Sequence, residues 1–370
     1  MSFEFIEDKL TKQKALSRYR QRFCIQYPTP HGATDEATIT VDGKNYVNFS
    51  SNDYLGLNNH SKINKAMQEG VDKFGLCSSS SSLVTGFHYA HQALEETICQ
   101  WLNKPRCLLF SSGFAANEAL LNSLGQDEQS HFFLDKLSHA SMIDGALSSK
   151  AKVRRFAHNN TNHLHQLLSQ SHSDNKLIAT EGVFSMDGDK ADVSEIEILA
   201  KIHNAWLYFD DAHSIGVLGE EGKGSLSFIK DSTQQNIIMA TLGKAIATSG
   251  AFLACDDTLH DYLVNFARHY IYSTAMSPAI AWATKKSISL IQKDQWRRDK
   301  IKELSHLLNH LLDDNIEIIP TDSSIHAIII GDEKKALLAS DLLKEEGIWL
   351  TAIRPPTVAI GSSRLRVTMC

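Results

Sequence analysis

No apolar run in this chain of 370 residues approaches the roughly 20 residues that span a bilayer. The first residues, MSFEFIEDKLTKQKALSRYRQRF, carry charge throughout and lack the apolar core of a secretory signal. A cytoplasmic location is the expectation. The six cysteines (Cys24, Cys77, Cys99, Cys107, Cys255 and Cys370) include no C-x-x-C pair, which argues against a structural metal site or a disulfide framework. Lys and Arg form no basic arm and the formal net charge is only −6, so neither nucleic acid nor a membrane is an expected partner. There is no internal repeat. Apolar and charged fractions of 42% and 22% are those of a globular chain and exclude general disorder.

What is present is enough chain for two or three lobes. Residues 1–27 read as an amphipathic helix. Residues 37–49 (ATITVDGKNYVNF) read as a hairpin turning at Asp42-Gly43, a strong turn pair. Six short apolar runs follow: CLLF (107–110), HFFLD (131–135), KLIATEG (176–182), WLYFDD (206–211), NIIMATL (236–242) and AFLACD (251–256). Continuous apolar runs suit strands buried on both faces. Helical patterns lie between most of them, so the layout is α/β with a mostly parallel sheet. From about 280 the pattern becomes one long charged helix to 312, strands near 316–319 and 325–330, and a helix near 333–346. That is a smaller α+β tail.

In an open parallel sheet, ligands gather at the carboxyl ends of the strands. After CLLF come Ser111, Ser112, Gly113 and Phe114, small residues opening a helix. Free N–H groups and the positive helix end there favour an anion, or the segment is a plain tight turn. After HFFLD, His139 faces the same crevice; it could stack on a flat cofactor or be satisfied locally. After KLIAT comes a polar loop with Ser185 as a possible donor; its carboxylates do not have EF-hand spacing. After WLYF come Asp210 and His213. A carboxylate at a buried strand end needs a cationic partner, such as a protonated ring nitrogen, or the pair belongs to a metal site.

After NIIMATL comes Lys244, with Thr241 three residues earlier. Burial disfavours an ammonium, and a neutral amine can form an imine with a carbonyl. Together these features supply an anion cradle, a stacking ring, a partner for a ring nitrogen and an imine lysine. Pyridoxal phosphate (PLP) requires that set. Two other features are set aside: the stretch from His158 to His172 is histidine-rich but reads as a solvated helix, since His163 and His165 do not share a helix face, and the serine run Ser78–Ser82 reads as an ordered loop.

The chain resembles the α-oxoamine synthases, PLP enzymes of the aspartate-aminotransferase-like fold (fold type I). The resemblance runs from about residue 16 to 368. It rests on N-F-S-S-N-D-Y-L-G-L (48–57), S-S-G-F-A-A-N (111–117), L-S-H-A-S (137–141), E-G-V-F-S-M-D-G-D (181–189), D-D-A-H-S-I-G-V-L-G (210–219), T-L-G-K-A (241–245), I-Y-S-T-A-M-S-P (271–278), I-R-P-P-T-V (353–358) and R-L-R-V-T (364–368). It implies an N-terminal helix and hairpin (1–47), a large PLP-binding domain (48–277) and a small C-terminal domain (278–370) without a last helix.

The resemblance also implies roles. Lys244 would carry PLP and act as proton-transfer base. Gly113, Phe114 and Thr241 would hold the phosphate, with Ser273 and Thr274 reaching that of the partner subunit in a homodimer with shared sites. His139 would stack on the ring, Asp210 would pair with its nitrogen, and His213 and Ser185 would lie by its hydroxyl. Arg366 would bind the amino-acid carboxylate, and Arg20, Asn52 and Arg354 would line the substrate side. Compact length and I-R-P-P-T-V favour the branch that serves biotin biosynthesis, condensing L-alanine with pimeloyl-CoA or a pimeloyl-acyl-carrier protein and losing CO2. Glycine- or serine-using relatives, and a non-catalytic subunit, are the alternatives. Two departures stand out. Ser78–Ser82 replaces a glycine-rich loop, and Leu83 stands where relatives carry an arginine; serine tolerates positive φ less well than glycine.

Overall fold

All six apolar runs become strands in a computed structural model, which describes residues 2–27, 37–230 and 235–370. In chain order the strands are β1 (Ile25–Gln26), β2 (Thr38–Val41), β3 (Lys44–Asn48), β4 (Arg106–Phe110), β5 (His131–Asp135), β6 (Lys152–Phe156), β7 (Lys176–Glu181), β8 (Trp206–Asp210), β9 (Asn236–Thr241), β10 (Ala251–Cys255), β11 (Ile325–Gly331), β12 (Ile348–Trp349), β13 (Ala352–Ile353) and β14 (Ser363–Thr368). The chain divides into two units. The larger holds Asp53–Ser185 and Lys190–Lys300; the smaller holds Met1–Asn52, Met186–Asp189 and Ile301–Cys370.

The larger unit is built on one seven-stranded sheet of order β4-β10-β9-β8-β7-β5-β6. Its pairs are parallel except those of β10, which runs antiparallel to both neighbours. Strands β8, β9 and β10 are buried almost end to end, the burial expected of strands covered on both faces. Leu108, Leu120, Tyr208, Ile237, Met239 and Leu253 belong to one core cluster that joins the sheet to its helices. Each such side chain contributes roughly 1.5–3 kcal/mol by leaving water. The edge strand β6, KVRRF, exposes Lys152 and Arg155 and fully buries only Phe156, and no apolar run announced it.

Side chains start the helices. Ser112, Asp192 and Asp256 each accept a backbone N–H in the first turn of the helix they precede. Helix Pro278–Lys293 packs on helices Ser61–Phe74 and Tyr89–Leu102. A Cβ on Gly70 would lie 2.8 Å from the Ala279 backbone, so only glycine permits that approach. This packing keeps 278–300 with the larger unit, past the boundary expected at 277/278. The long charged helix expected over 280–312 is two helices, Pro278–Lys293 and Gln295–Leu311, broken at Asp294.

In the smaller unit, β2 and β3 form the expected hairpin. Its turn residues have φ of 50° at Asp42 and 78° at Gly43, as a two-residue hairpin turn requires. β12 adds to β3 in parallel, so the N-terminal segment and the C-terminal part form one unit rather than two. A second sheet has the order β11-β14-β13. The segment near 316–319 contributes only an isolated bridge, Ile318 to Ile328. The N-terminal helix covers Phe5–Ala15 alone, with no buried residue. The charged pattern sustains a helix there, but no face of it is buried, so the amphipathic reading of 1–27 does not hold.

The serine run is ordered. Ser78 Oγ donates to the Met276 carbonyl at 2.6 Å, and Ala275 N donates to the Ser80 carbonyl at 3.0 Å. Ser79 sits at φ 57°, the left-handed region where glycine would be unstrained.

Candidate active site

The carboxyl ends of β4, β5, β7, β8 and β9 carry most of the residues singled out from the sequence, all within the larger unit. After β4, helix Gly113–Leu124 opens with Ser112 as its cap, Oγ accepting Ala115 N at 3.1 Å. First-turn N–H groups of a helix have no intrahelical acceptor and favour an anion. Gly113 abuts the end of β9: a Cβ placed on it would lie 3.9 Å from Thr241 Cβ. The Thr241 hydroxyl donates to the Gly250 carbonyl at 3.1 Å. An anion held there would rest on backbone amides, and Thr241 could add a donor only by giving up that bond.

Lys244 follows β9 in a turn closed by Ala247 N donating to the Lys244 carbonyl at 2.8 Å. Ala247 holds φ 57°, an uncommon conformation for a non-glycine residue. Lys244 is half-buried. Its Nζ lies 2.7 Å from His213 Nε2, and His213 Nδ1 lies 2.6 Å from the Tyr54 hydroxyl. An ammonium at Lys244 donates to Nε2 and leaves the ring proton on Nδ1; a neutral amine accepts from Nε2 instead. The contact places the imidazole within reach of a proton on the amine.

Asp210 ends β8 and is 4% exposed. Its Oδ2 accepts Asn117 Nδ2 at 2.8 Å and its Oδ1 accepts Ala212 N at 3.0 Å. The same Asn117 amide donates to Ser141 Oγ at 2.8 Å, and that hydroxyl lies 2.7 Å from His139 Nδ1. The Tyr208 hydroxyl donates to Asn117 Oδ1. Asn117 therefore links the carboxylate to the imidazole. His139 caps helix Ala140–Leu147 and meets Phe114 edge to face, with centroids 6.3 Å apart. Among the described residues Asp210 makes no ion pair, although a buried carboxylate is costly without a cation. A protonated ring nitrogen would answer that need. The donors fit PLP: amides for a phosphate, Asp210 for the pyridine nitrogen, and an amine for the carbonyl.

Next to it, Asp211 is fully buried and accepts Ser214 Oγ at 2.5 Å, Ser225 Oγ at 2.6 Å and Ser225 N at 2.8 Å. Burial pushes its carboxyl up to about 6, while these hydrogen bonds pull the other way. Gly182 and Gly224 leave room for it: a Cβ on either would come within 2.3 Å of its oxygens. Ser185 N donates to Glu181 Oε2 at 3.3 Å. Thr274 bridges to Ser81 in the serine loop, and Ser273 precedes it.

The four residues expected on the substrate side lie in the smaller unit. Arg366, on β14, donates from Nη1 and Nη2 to Asn52 Oδ1, both at 3.2 Å. Arg20 Nη2 donates to Thr357 Oγ1 at 2.8 Å, and Arg354 Nη1 donates to the Ser17 carbonyl. Arg20 and Arg354 line one cleft of about 570 Å³ with Phe23, Lys344 and Trp349. Burial, and then the positive field of Arg20, push the Arg354 guanidinium down. Its Nε is buried without a hydrogen-bond partner.

The family model of class I and II aminotransferases matches residues 44–370. An 8-amino-7-oxononanoate synthase of Photobacterium profundum is 44% identical over 98% of this chain and 91% of its own length. Another, from Salmonella paratyphi B, is 41% identical over 98% and 93%. The chain belongs to the 8-amino-7-oxononanoate synthase family, within the class I and II aminotransferases. Among solved structures, the synthase of Francisella tularensis superposes with a TM-score of 0.75 at 32% identity, over 88% of this chain and 92% of that one. A serine palmitoyltransferase of Sphingomonas wittichii gives 0.91 at 23% identity, over 100% and 93%, a likeness of fold. The resemblance to α-oxoamine synthases and the aspartate-aminotransferase-like α/β fold both hold.

Reading the sequence missed the residues that join the site within this family's fold. Tyr54, Asn117, Ser141 and Tyr208 all lie between or behind the strand ends. Asn117 alone left a signal: an amide within the mainly apolar helical stretch F-A-A-N-E-A-L-L is a polar group that must find partners when buried. Among the described residues no helix is long and apolar enough to cross a membrane.

Proposed function

We propose that the chain is a PLP-dependent 8-amino-7-oxononanoate synthase, joining L-alanine to a pimeloyl thioester with loss of CO2 and release of the thiol carrier. The name is that of its curated relatives at 44% and 41% identity. The observation that carries the chemistry is the placement of the Lys244 amine and the buried Asp210, which makes no ion pair among the described residues, at adjacent strand ends.

Bound PLP supplies a carbonyl that captures the amino group and a ring that accepts electrons from the α-carbon. Asp210 would pair with the ring nitrogen, and Asn117 keeps the carboxylate aimed. The amides of Gly113 and Phe114, with Thr241, bind the phosphate; Ser273 and Thr274 serve the partner subunit's phosphate in a homodimer. His139 covers the ring and is fixed through Ser141. Ser185 and His213 serve the ring hydroxyl. The Lys244 amine removes the alanine α-proton and later returns one. To do so it must be neutral, and His213, 2.7 Å away, takes its proton. Arg366 binds the alanine carboxylate, while Arg20, Asn52 and Arg354 line the acyl side.

The test is an assay of alanine, glycine and serine against pimeloyl-CoA and pimeloyl-acyl-carrier protein. Alanine is expected to give the highest kcat/KM with either donor. Higher turnover with glycine or serine assigns the chain to another member of the family, and no turnover with a colourless protein makes it a non-catalytic subunit.

A further inference from the structure

Asp210 has a second carboxylate beside it that the mechanism does not use. Glu181 ends β7, and in the parallel ladder it is the register partner of Asp210 on β8. Partners in adjacent parallel strands lie about 5 Å apart and point to the same face. Glu181 is 2% exposed and Asp210 4%. Two buried carboxylates so placed cannot both ionise cheaply, and one proton is retained between them.

Hydrogen bonding decides where that proton resides. Asp210 accepts good bonds at both oxygens, from Asn117 Nδ2 and Ala212 N. Glu181 is more weakly served: Ser185 N reaches Oε2 at a long 3.3 Å, the His139 backbone adds a further pull toward the charged form, and Oε1 is buried without a partner within hydrogen-bond distance. A carboxylate supplied with donors stays charged; one without them holds its proton.

We propose that Glu181 is a positioning residue: it keeps the proton of the Glu181–Asp210 pair in the working enzyme and so leaves Asp210 as the full negative charge that holds a ring nitrogen. The charged groups facing Glu181 are Asp210 from β8 and Lys244 from the turn after β9, with the backbone of Ser185 and His139 from the two loops. Burial first, and Asp210 second, push the Glu181 carboxyl well above its ordinary range, against the pull of Lys244. A neutral Glu181 also withdraws one negative charge from beside Lys244. This favours the free amine that proton abstraction needs. The proposal rests on the PLP reading only for what Asp210 serves; the protonation of Glu181 stands without it.

The test uses the holoenzyme and its Glu181→Gln variant, glutamine being the nearest neutral mimic of the protonated acid. The pH titration of the PLP absorption band is expected to have the same midpoint in both proteins around neutrality. If Glu181 is ionised, removing its charge beside Lys244 lowers that midpoint clearly, and the proposal falls. An infrared comparison gives a reading independent of activity and of PLP. The parent is expected to show a protonated-carboxyl C=O band at neutral pH that weakens in Glu181→Gln. No such band in the parent overturns the proposal even if the variant fails to fold, and so does a band that is unchanged in the variant. Failure to bind PLP, by contrast, removes the absorption titration and counts against the proposed function while the infrared reading remains.

Discussion

The two units gather their polar side chains in different ways. In the larger one, Lys244, His213 and Tyr54 bond to one another, as do Asp210, Asn117, Ser141 and His139. Each comes from a strand end or from the helix or loop beside it. In the smaller one, Arg20, Arg354 and Arg366 bond to a hydroxyl, a backbone carbonyl and an amide. The first arrangement fixes reactive groups through mutual hydrogen bonds, and it suits chemistry. The second places guanidinium groups on acceptors that an anionic substrate can replace. The comparison implies that changes in the first region act on cofactor binding and kcat, and changes in the second act on KM.

Lys244→Ala is the sharpest way to break this division. It should reduce condensation by about 10⁴-fold or more, at the top of the range for a lost proton-transfer group, with circular dichroism unchanged. Asn117→Ala comes next. It leaves Asp210 Oδ2 and the Tyr208 hydroxyl, both buried, without their partner. The cost is roughly 1–3 kcal/mol for each group, read as a lower Tm together with weaker PLP binding in a fluorescence titration. Arg354→Ala should instead raise KM for the acyl donor by roughly ten- to a hundredfold, the value of one or two charge-assisted bonds, with kcat little changed. A fall in kcat alone would erase the distinction between the two regions.

Asp211 gives a smaller, pH-dependent effect. Burial raises its folded pKa from 3.8 to about 6, so its contribution is fully present below about 4 and is lost as pH rises through 6. In Asp211→Asn that loss disappears, and the Tm difference between parent and variant should shift in the variant's favour between pH 4 and 7 by the equivalent of roughly 3 kcal/mol at most. Ser79→Gly should have the least effect. Relieving a serine at φ 57° gains about 1 kcal/mol, which the greater backbone freedom of glycine partly offsets. Chemical denaturation checks whether the net change is a small stabilisation.

Much of the larger unit was legible because its strands are buried on both faces, so CLLF or NIIMATL reads as strand without ambiguity. KVRRF did not, because an edge strand with Lys152 and Arg155 facing solvent has no such pattern. Strand-end logic found Lys244, Asp210 and His139, since ligand groups collect there. It could not find Asn117 or Tyr54, whose importance lies in partners 93 and 159 residues away. In the smaller unit the arginines were named by resemblance alone. Nothing in the local pattern around Arg20 shows that a hairpin and a C-terminal strand close into one sheet through β3 and β12.

The central claim is that Lys244 is the cofactor lysine, and it has a direct test. The holoenzyme is reduced with borohydride, digested, and its pyridoxyl-labelled peptide sequenced. A single label on Lys244, within T-L-G-K-A, is the predicted result. A label on any other lysine, or none in a protein that still condenses alanine with the pimeloyl thioester, would contradict the account.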